Sequence, residues 1–433
     1  MINKIDIPDK GNKKRLVIVG GGFAGLKLAR KLKDDKFQIV LIDKNNYHLF
    51  QPLLYQVATA GIEPSAISFP FRKIFHKRKY FHIRMCEALQ VIPEDNRLET
   101  TIGVIDYDYL VISTGCDTNY FGNQGLAETT MSLKTTAEAL YNRNKVLESF
   151  EKAQNTTDWN IRDTNMTFLI VGGGATGIEL AGALAEMRNF ILPEDYPDLD
   201  MSQMRIVLID AAPRLLSAFS EQSSEEVKNH LLNKGVEVIL NAQVTDYKDG
   251  VLSLSNDTSF VSSNVYWVAG VKANSMIGMP KDAYGPGNRL KVDEFNKVIG
   301  TTNIYALGDT AIMITSEYPR GHPQVVQPAI QQAQLLVKNL KSMESGHSLT
   351  PFNYHNKGSM ATIGRNNAIV ELKKMRFGGF WAWVVWLFIH LMSIVGVKNR
   401  LFIFIDWMWS YFTYDPSLRL IIKPIKKEHN SRK

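Results

Sequence analysis

Two glycine triplets carry most of the chemistry available to this sequence. Gly20, Gly22 and Gly25 stand in G-x-G-x-x-G order within LVIVGGGFAGLKLA, and Gly172, Gly174 and Gly177 repeat the spacing within LIVGGGATGIELAG. In such a triplet the first glycine permits a tight turn and the second lets backbone approach a pyrophosphate. The third lets a helix pack closely on a strand, and the phosphates rest at the positive helix N-terminus. Asp43 ends the strand after the first triplet and Asp210 ends the strand after the second. A carboxylate in that position can accept both ribose hydroxyl protons. At Asp210 it also repels a 2′-phosphate, which favours NADH over NADPH, although Arg214 lies nearby. One glycine turn can be loop chemistry with no ligand. Two with the same flanks point to two nucleotides and to electron traffic between them.

Three further features belong to this set. Glu179 lies just past the last glycine of the second turn, where it either sits favourably on a helix dipole or faces the nicotinamide. ALGDT places Asp309 at the end of a strand, where open α/β sheets bind ligands. A helix starting near Pro328 follows closely, and its N-terminus could stabilise the N1–C2=O edge of an anionic reduced flavin.

The elements that must position these residues are legible as apolar runs. RLVIVG, turn, LKLARKLK and FQIVLIDK form one βαβ unit, and MTFLIVG, turn, IELAGALAEMRNF and MRIVLIDA form a second. Continuous apolar runs of this length are what buried parallel strands require. YDYLVISTGC, VYWVAGVKAN and NIYALGDTA read as further strands ending in small-residue turns. The repeat is two diverged nucleotide-binding units and not a solenoid.

From residue 379 the character changes. GFWAWVVWLFIHLMSIVGV carries no charged residue, LFIFIDWMWSYFTY follows, and five of the seven tryptophans fall here. Residues 379–397 are long enough to cross a bilayer as one helix. Tryptophan, however, prefers the headgroup interface, and it is spread through both segments. The second segment is too short to return across the bilayer and contains Asp406. Two short helices lying in one leaflet account for all of this. His390 within the apolar run reads as a satisfied core histidine, with a quinone-pocket role as the alternative.

The 433 residues allow two or three domains, and 45% hydrophobic content supports a large core. The net charge of +7 is concentrated in RKIFHKRK at 72–79 and in the tail KPIKKEHNSRK at 423–433. Both stretches are too short to make nucleic acid the partner; the tail could touch anionic headgroups. Cys86 and Cys116 are far apart and read as small buried hydrophobes in a reducing compartment. No secretory signal is expected at the N-terminus, and no metal site is expected.

The two turns, NYHLFQPLLYQVATAGIEP (46–64), STG, ALGDT, VVQPAIQQA, KGSMATIGR and the aromatic end together resemble the type II NADH dehydrogenases. These are single-subunit NADH:quinone oxidoreductases, and the resemblance runs from about Arg15 to about Ile422. It implies an α/β fold with two Rossmann-like dinucleotide-binding domains and a C-terminal amphipathic-helix membrane anchor. The expected boundaries are 14–120 with 290–345 for FAD, 121–289 for NADH, and 346–433 for the membrane.

The resemblance implies non-covalent FAD contacts at Gly20, Gly22, Gly25, Asp43, Thr114, Gly115 and Asp309. It implies NADH contacts at Gly172, Gly174, Gly177, Glu179, Asp210 and Gly270. The family's glutamine motif falls on Val326–Gln332, with valine in place of its first alanine and the glutamines kept as Gln327, Gln331 and Gln332. Glu179, Gln327 and Gln331 are the expected catalytic side chains. Hydride would pass from NADH to the flavin and two electrons to a membrane quinone, without proton pumping.

The expected setting is the cytoplasmic face of a bacterial-type membrane, peripheral to the bilayer surface, as a homodimer. A sulfide:quinone-type activity is the alternative, but it needs cysteines flanking the flavin and none follows Cys116. An NADH-sensing regulatory flavoprotein is the alternative of a different class.

Overall fold

The structure is a computed structural model describing residues 4–33, 36–413 and 418–422; the basic tail 423–433 lies outside the described residues. The chain divides into two compact units. One comprises the chain to Leu49, Ser68–Asp117 and Val271–Lys357; the other comprises Phe50–Ile67, Thr118–Gly270 and the described residues from Gly358 onward.

The first unit is built on a parallel five-stranded sheet. Its order is Ile304–Ala306, Tyr109–Ile112, Lys14–Val19, Phe37–Asp43 and Phe81–Met85. The inner strands are buried from Leu16 to Val19 and from Phe37 to Ile42, as a sheet covered on both faces demands. An antiparallel meander of Ala88–Ile92, Arg97–Thr100 and Gly103–Asp106 accompanies it.

The second unit repeats the plan. Its parallel sheet runs Glu237–Ile239, Arg205–Ile209, Thr167–Val171, Asn264–Trp267, again with a meander, Val244–Lys248, Val251–Leu254 and Ser259–Val261. The duplication seen in the sequence therefore extends from the glycine turn to the whole sheet-plus-meander unit.

These divisions differ from the expected ones in three places. Phe50–Ile67, inside the first expected domain, packs in the second unit. The helix Leu54–Ala58 lies against the helix Thr136–Gln154, Gln51 donates to the Lys134 carbonyl, and the Phe50 amide bonds the Ile67 carbonyl at 2.9 Å. Residues 271–289 belong to the first unit. The C-terminal segment is part of the second unit instead of a separate body.

That segment is a three-stranded antiparallel sheet, Ser359–Thr362, Ala368–Leu372 and Met375–Gly378, followed by helices Gly379–Ser393 and Val397–Thr413. The apolar run therefore does not form one helix to residue 397. Fifteen residues rise about 22 Å, short of the ~30 Å hydrocarbon core. No helix among the described residues is long and apolar enough to cross a membrane.

Candidate active site

In the first unit the glycine turn is set by close backbone contact. Gly20 has φ +94°, and a Cβ there would stand 2.4 Å from the Ser113 carbonyl oxygen; a Cβ on Gly25 would stand 1.9 Å from the Gly20 oxygen. Gly22 has nothing within 4 Å of its would-be Cβ. It precedes the helix Phe23–Lys31 with no side-chain cap, so the helix amides face open space where an anion can sit. The first and third glycines are therefore closely packed and the middle one is open.

Asp43 does more than its position suggested. Its Oδ2 accepts the Gly21 amide and its Oδ1 the Asn45 amide, both at 2.7 Å. The carboxylate braces the turn and keeps one acceptor lone pair on each oxygen for a hydroxyl. Burial pushes its pKa up, and those two amides only partly offset the effect. His48, which sequence reasoning passed over, completes the brace. Its Nδ1 bonds the Gly21 carbonyl at 2.9 Å, its ring meets Phe23 edge-on, and burial lowers its pKa to about 4. A neutral imidazole bonding a carbonyl must carry its proton on Nδ1.

The remaining expected contacts of this unit converge at the ends of the neighbouring strands. Thr114 Oγ1 donates to the Asn274 carbonyl and lies 3.0 Å from the Thr310 hydroxyl oxygen. Gly115 has φ +70° and its carbonyl accepts from Thr310 at 3.1 Å. Cys116 Sγ donates to Asp309 Oδ2 at 3.0 Å. Cys86 is a buried small side chain, but Cys116 is half-exposed and tied to a carboxylate, so reading it as a buried hydrophobe is corrected.

Gln332 is buried and its Oε1 accepts the Gly308 amide at 2.7 Å, fixing the Gly-Asp turn. Gln331 Nε2 and Oε1 both bond the His355 backbone at 3.0 Å. Gln327 is half-buried at the start of the helix Val326–Met343, which has no side-chain cap.

The second unit repeats the first almost atom for atom. Gly172 has φ +120°, with Ala269 N 2.8 Å from its would-be Cβ; Gly177 would meet the Gly172 oxygen at 1.9 Å; Gly174 again faces open space. Asp210 Oδ2 accepts the Gly173 amide, and Oδ1 the Ala212 amide at 2.6 Å. Gly270 has φ +73°, and Phe121 closes on it. Arg214 spends its guanidinium on its own loop, donating to the Phe219 and Ser217 carbonyls and to the Ser224 hydroxyl. Those bonds use three of its five N–H donors.

Glu179 sits in the second turn of the helix Ala175–Glu186 and is 8% exposed. Burial pushes its pKa to about 8, against a partial pull downward from the Thr362 backbone and the Trp386 indole. It is thus mostly neutral at pH 7, which the helix-dipole reading did not anticipate.

Below the C-terminal helices the second unit contains a largely apolar cavity of about 480 Å³. Tyr55, Gln56, Phe190, Thr362, Trp386 and Trp407 are among its walls, whereas Gln327 and Gln331 are not. A segment of π-helix, Met187–Ile191, lines it, and such bulges are frequent at functional sites. His390 stacks on Trp386 at 3.9 Å, and its Nδ1 bonds the Trp386 carbonyl. Burial lowers its pKa to about 4, so it is a neutral, satisfied helix histidine. The two helices also expose Trp381 at 73% and Trp409 at 63%, which do not line the cavity, and Phe388 and Phe412, which border it.

Known proteins agree with this architecture. The family model for pyridine nucleotide-disulphide oxidoreductases matches residues 14–333, and that for the NDH2 C-terminal domain matches 356–413. The type II NADH:quinone oxidoreductase NdhA of Mycobacterium tuberculosis is 35% identical, over 93% of this chain and 88% of that protein. This chain belongs to the type II NADH:quinone oxidoreductases. A second M. tuberculosis member of the family, Ndh, is 31% identical over 92% of this chain and 88% of its own length. The structure of NDH2 from Plasmodium falciparum in complex with NADH superposes with a TM-score of 0.86 at 22% identity, covering 95% of this chain and all of that one. Membership in the family is consistent with the duplicated sheet, the two open glycine turns and the helical end.

Proposed function

We infer that this chain oxidises NADH and reduces a membrane quinone through non-covalently bound FAD, without pumping protons. The observation that carries the reading is the duplicated cradle. Each turn has an open middle glycine, an uncapped helix N-terminus and a strand-end aspartate bracing the turn with one lone pair per oxygen to spare. An adenosine ribose and pyrophosphate fit that donor set; a ligand-free turn has no use for it.

We assign Gly20, Gly22, Gly25, Asp43, Thr114, Gly115 and Asp309 to FAD, and Gly172, Gly174, Gly177, Asp210, Gly270 and Glu179 to NADH. FAD, when bound, accepts hydride and releases electrons in a form a quinone can take. The protein's own residues bind and orient. Asp43 and Asp210 fix the turns, and Glu179 offers a neutral carboxyl instead of an anion. Gln327 is assigned to the quinone. Gln331 is assigned there as a positioning residue, since its amide is committed to the His355 backbone. The two glutamines carry that assignment from the family resemblance; neither lines the apolar cavity of the second unit, which is assigned as a chamber for a quinone.

The exposed aromatic faces of the helices Gly379–Ser393 and Val397–Thr413 are assigned to one leaflet of the bilayer. A peripheral attachment at the cytoplasmic face and a homodimeric assembly complete the proposal. Purified protein should be yellow and release FAD on denaturation, and it should oxidise NADH with a short-chain quinone. A colourless protein that cannot be reconstituted with FAD, or one that does not turn over, removes the reading. Sedimentation at monomer mass in detergent removes the dimer alone.

A further inference from the structure

Three side chains in the wall of the cavity form a directed chain. Trp407 Nε1 donates to Gln56 Oε1 at 2.9 Å, and Gln56 Nε2 donates to the Tyr55 hydroxyl at 2.9 Å. The direction follows from chemistry. An indole N–H can only donate, so the amide oxygen of Gln56 must face Trp407 and its NH₂ must face Tyr55. The Tyr55 oxygen is therefore an acceptor in this bond, and its own hydrogen is left for another partner. All three residues line the cavity. Tyr55 is only 6% exposed, so water offers that hydrogen little alternative. The phenol stays protonated, because burial and the neighbouring Glu179 raise its pKa well above the usual value.

The walls around it are aromatic and aliphatic, with Phe190, Trp383, Leu387 and Phe404 among them. A largely apolar chamber whose wall includes the buried Tyr55, with Thr59 and Thr362 as further buried hydroxyl residues, suits a flat apolar ring bearing a carbonyl oxygen. The charged residues in its wall, Glu186 and Arg365, face each other as an ion pair.

We propose that Tyr55 donates its phenolic hydrogen to a carbonyl oxygen of the quinone ring seated in this cavity, and that Gln56, held by Trp407, is the positioning residue that aims it. This rests on the reading that the enzyme reduces a quinone. It adds a link between the C-terminal helix and the ligand, because Trp407 belongs to the helix Val397–Thr413. Gln56 belongs to the helix Leu54–Ala58, so the site is complete only when the two helices are packed together.

Tyr55→Phe keeps the ring and removes only the hydroxyl. Gln56→Leu removes the aim and leaves the phenol in place. The direct readout is the dissociation constant of decylubiquinone for the oxidised holoenzyme, accompanied by quinone KM and kcat. Stopped-flow reduction of the flavin by NADH is the control. Loss of one neutral hydrogen bond predicts quinone binding roughly 3- to 10-fold weaker in Tyr55→Phe, with the NADH half-reaction unchanged. Gln56→Leu and Trp407→Phe should shift quinone KM in the same direction by less. Wild-type quinone affinity in Tyr55→Phe overturns the inference, and so does an equal loss in the NADH half-reaction. A wild-type enzyme that oxidises NADH but reduces no quinone refutes the proposed function itself, and this assignment with it.

Discussion

The most quantitative consequence of the structure concerns Glu179. Its carboxyl is 8% exposed, and burial moves its pKa from 4.5 to about 8. A group whose pKa is raised on folding binds its proton more tightly in the folded state. The associated stability is fully present below the unfolded value of about 4.5 and is lost as pH rises through about 8. At about 1.4 kcal/mol per tenfold change in proton affinity, a lift of that size corresponds to about 5 kcal/mol as an upper bound, since a buried site relaxes around a charge. Glu179→Gln keeps the shape and the neutral state at every pH. The variant should match wild type near pH 4.5 and become progressively more stable than it up to about pH 8.5. Urea unfolding of both proteins across that range, each saturated with FAD so that cofactor linkage cancels, reads the difference directly. Stability curves that stay parallel from pH 5 to 8.5 would refute the argument that Glu179 is buried uncharged.

Four further outcomes follow from named contacts. Gly25→Ala forces a Cβ to 1.9 Å from the Gly20 oxygen and should yield protein that does not retain FAD, whereas Gly177→Ala, equally crowded, should stay yellow and lose NADH binding; the visible spectrum and NADH titration separate them. Asp210→Ala should narrow the preference for NADH over NADPH, because hydrogen bonds to a charged acceptor, worth about 1.5–3 kcal/mol each, go together with the repulsion; wild-type protein that uses NADPH equally well would show Asp210 to be misassigned. Gln331→Ala releases the His355 backbone and should lower quinone reduction while flavin reduction by NADH in stopped flow stays near wild type. Trp381→Glu with Trp409→Glu, both exposed and outside the cavity wall, should release the protein from phosphatidylglycerol vesicles without changing its thermal midpoint, and undiminished co-sedimentation with the vesicles would remove those faces from the bilayer.

Much of this protein was legible in its sequence because the determining interactions are short in range. A glycine triplet, the apolar strand before it, the helix after it and the acid ending the next strand lie close along the chain. Their roles follow from sterics and hydrogen-bond geometry that hold in any such unit. The duplicated α/β plan, the open glycines Gly22 and Gly174 and the charge-free run 379–397 were determined at that level.

Only the tertiary structure decided the rest. Phe50–Ile67 packs in the second unit because its partners, such as Lys134 and the helix Thr136–Gln154, lie some eighty or more positions away. Nothing in the local pattern ranks such partners. That Asp43 and Asp210 brace the turns they serve, and that Arg214 turns inward onto its own loop, depends on side-chain rotamers that sequence leaves open. The apolar run from 379 breaks after Ser393, with Gly396 at φ +87° between the two helices, a break that hydropathy alone does not place. Above all, Glu179 is neutral and Tyr55 is aimed because each is enclosed by segments distant in sequence. Desolvation is a property of what surrounds a group in space, and a chain read in one dimension does not specify its surroundings.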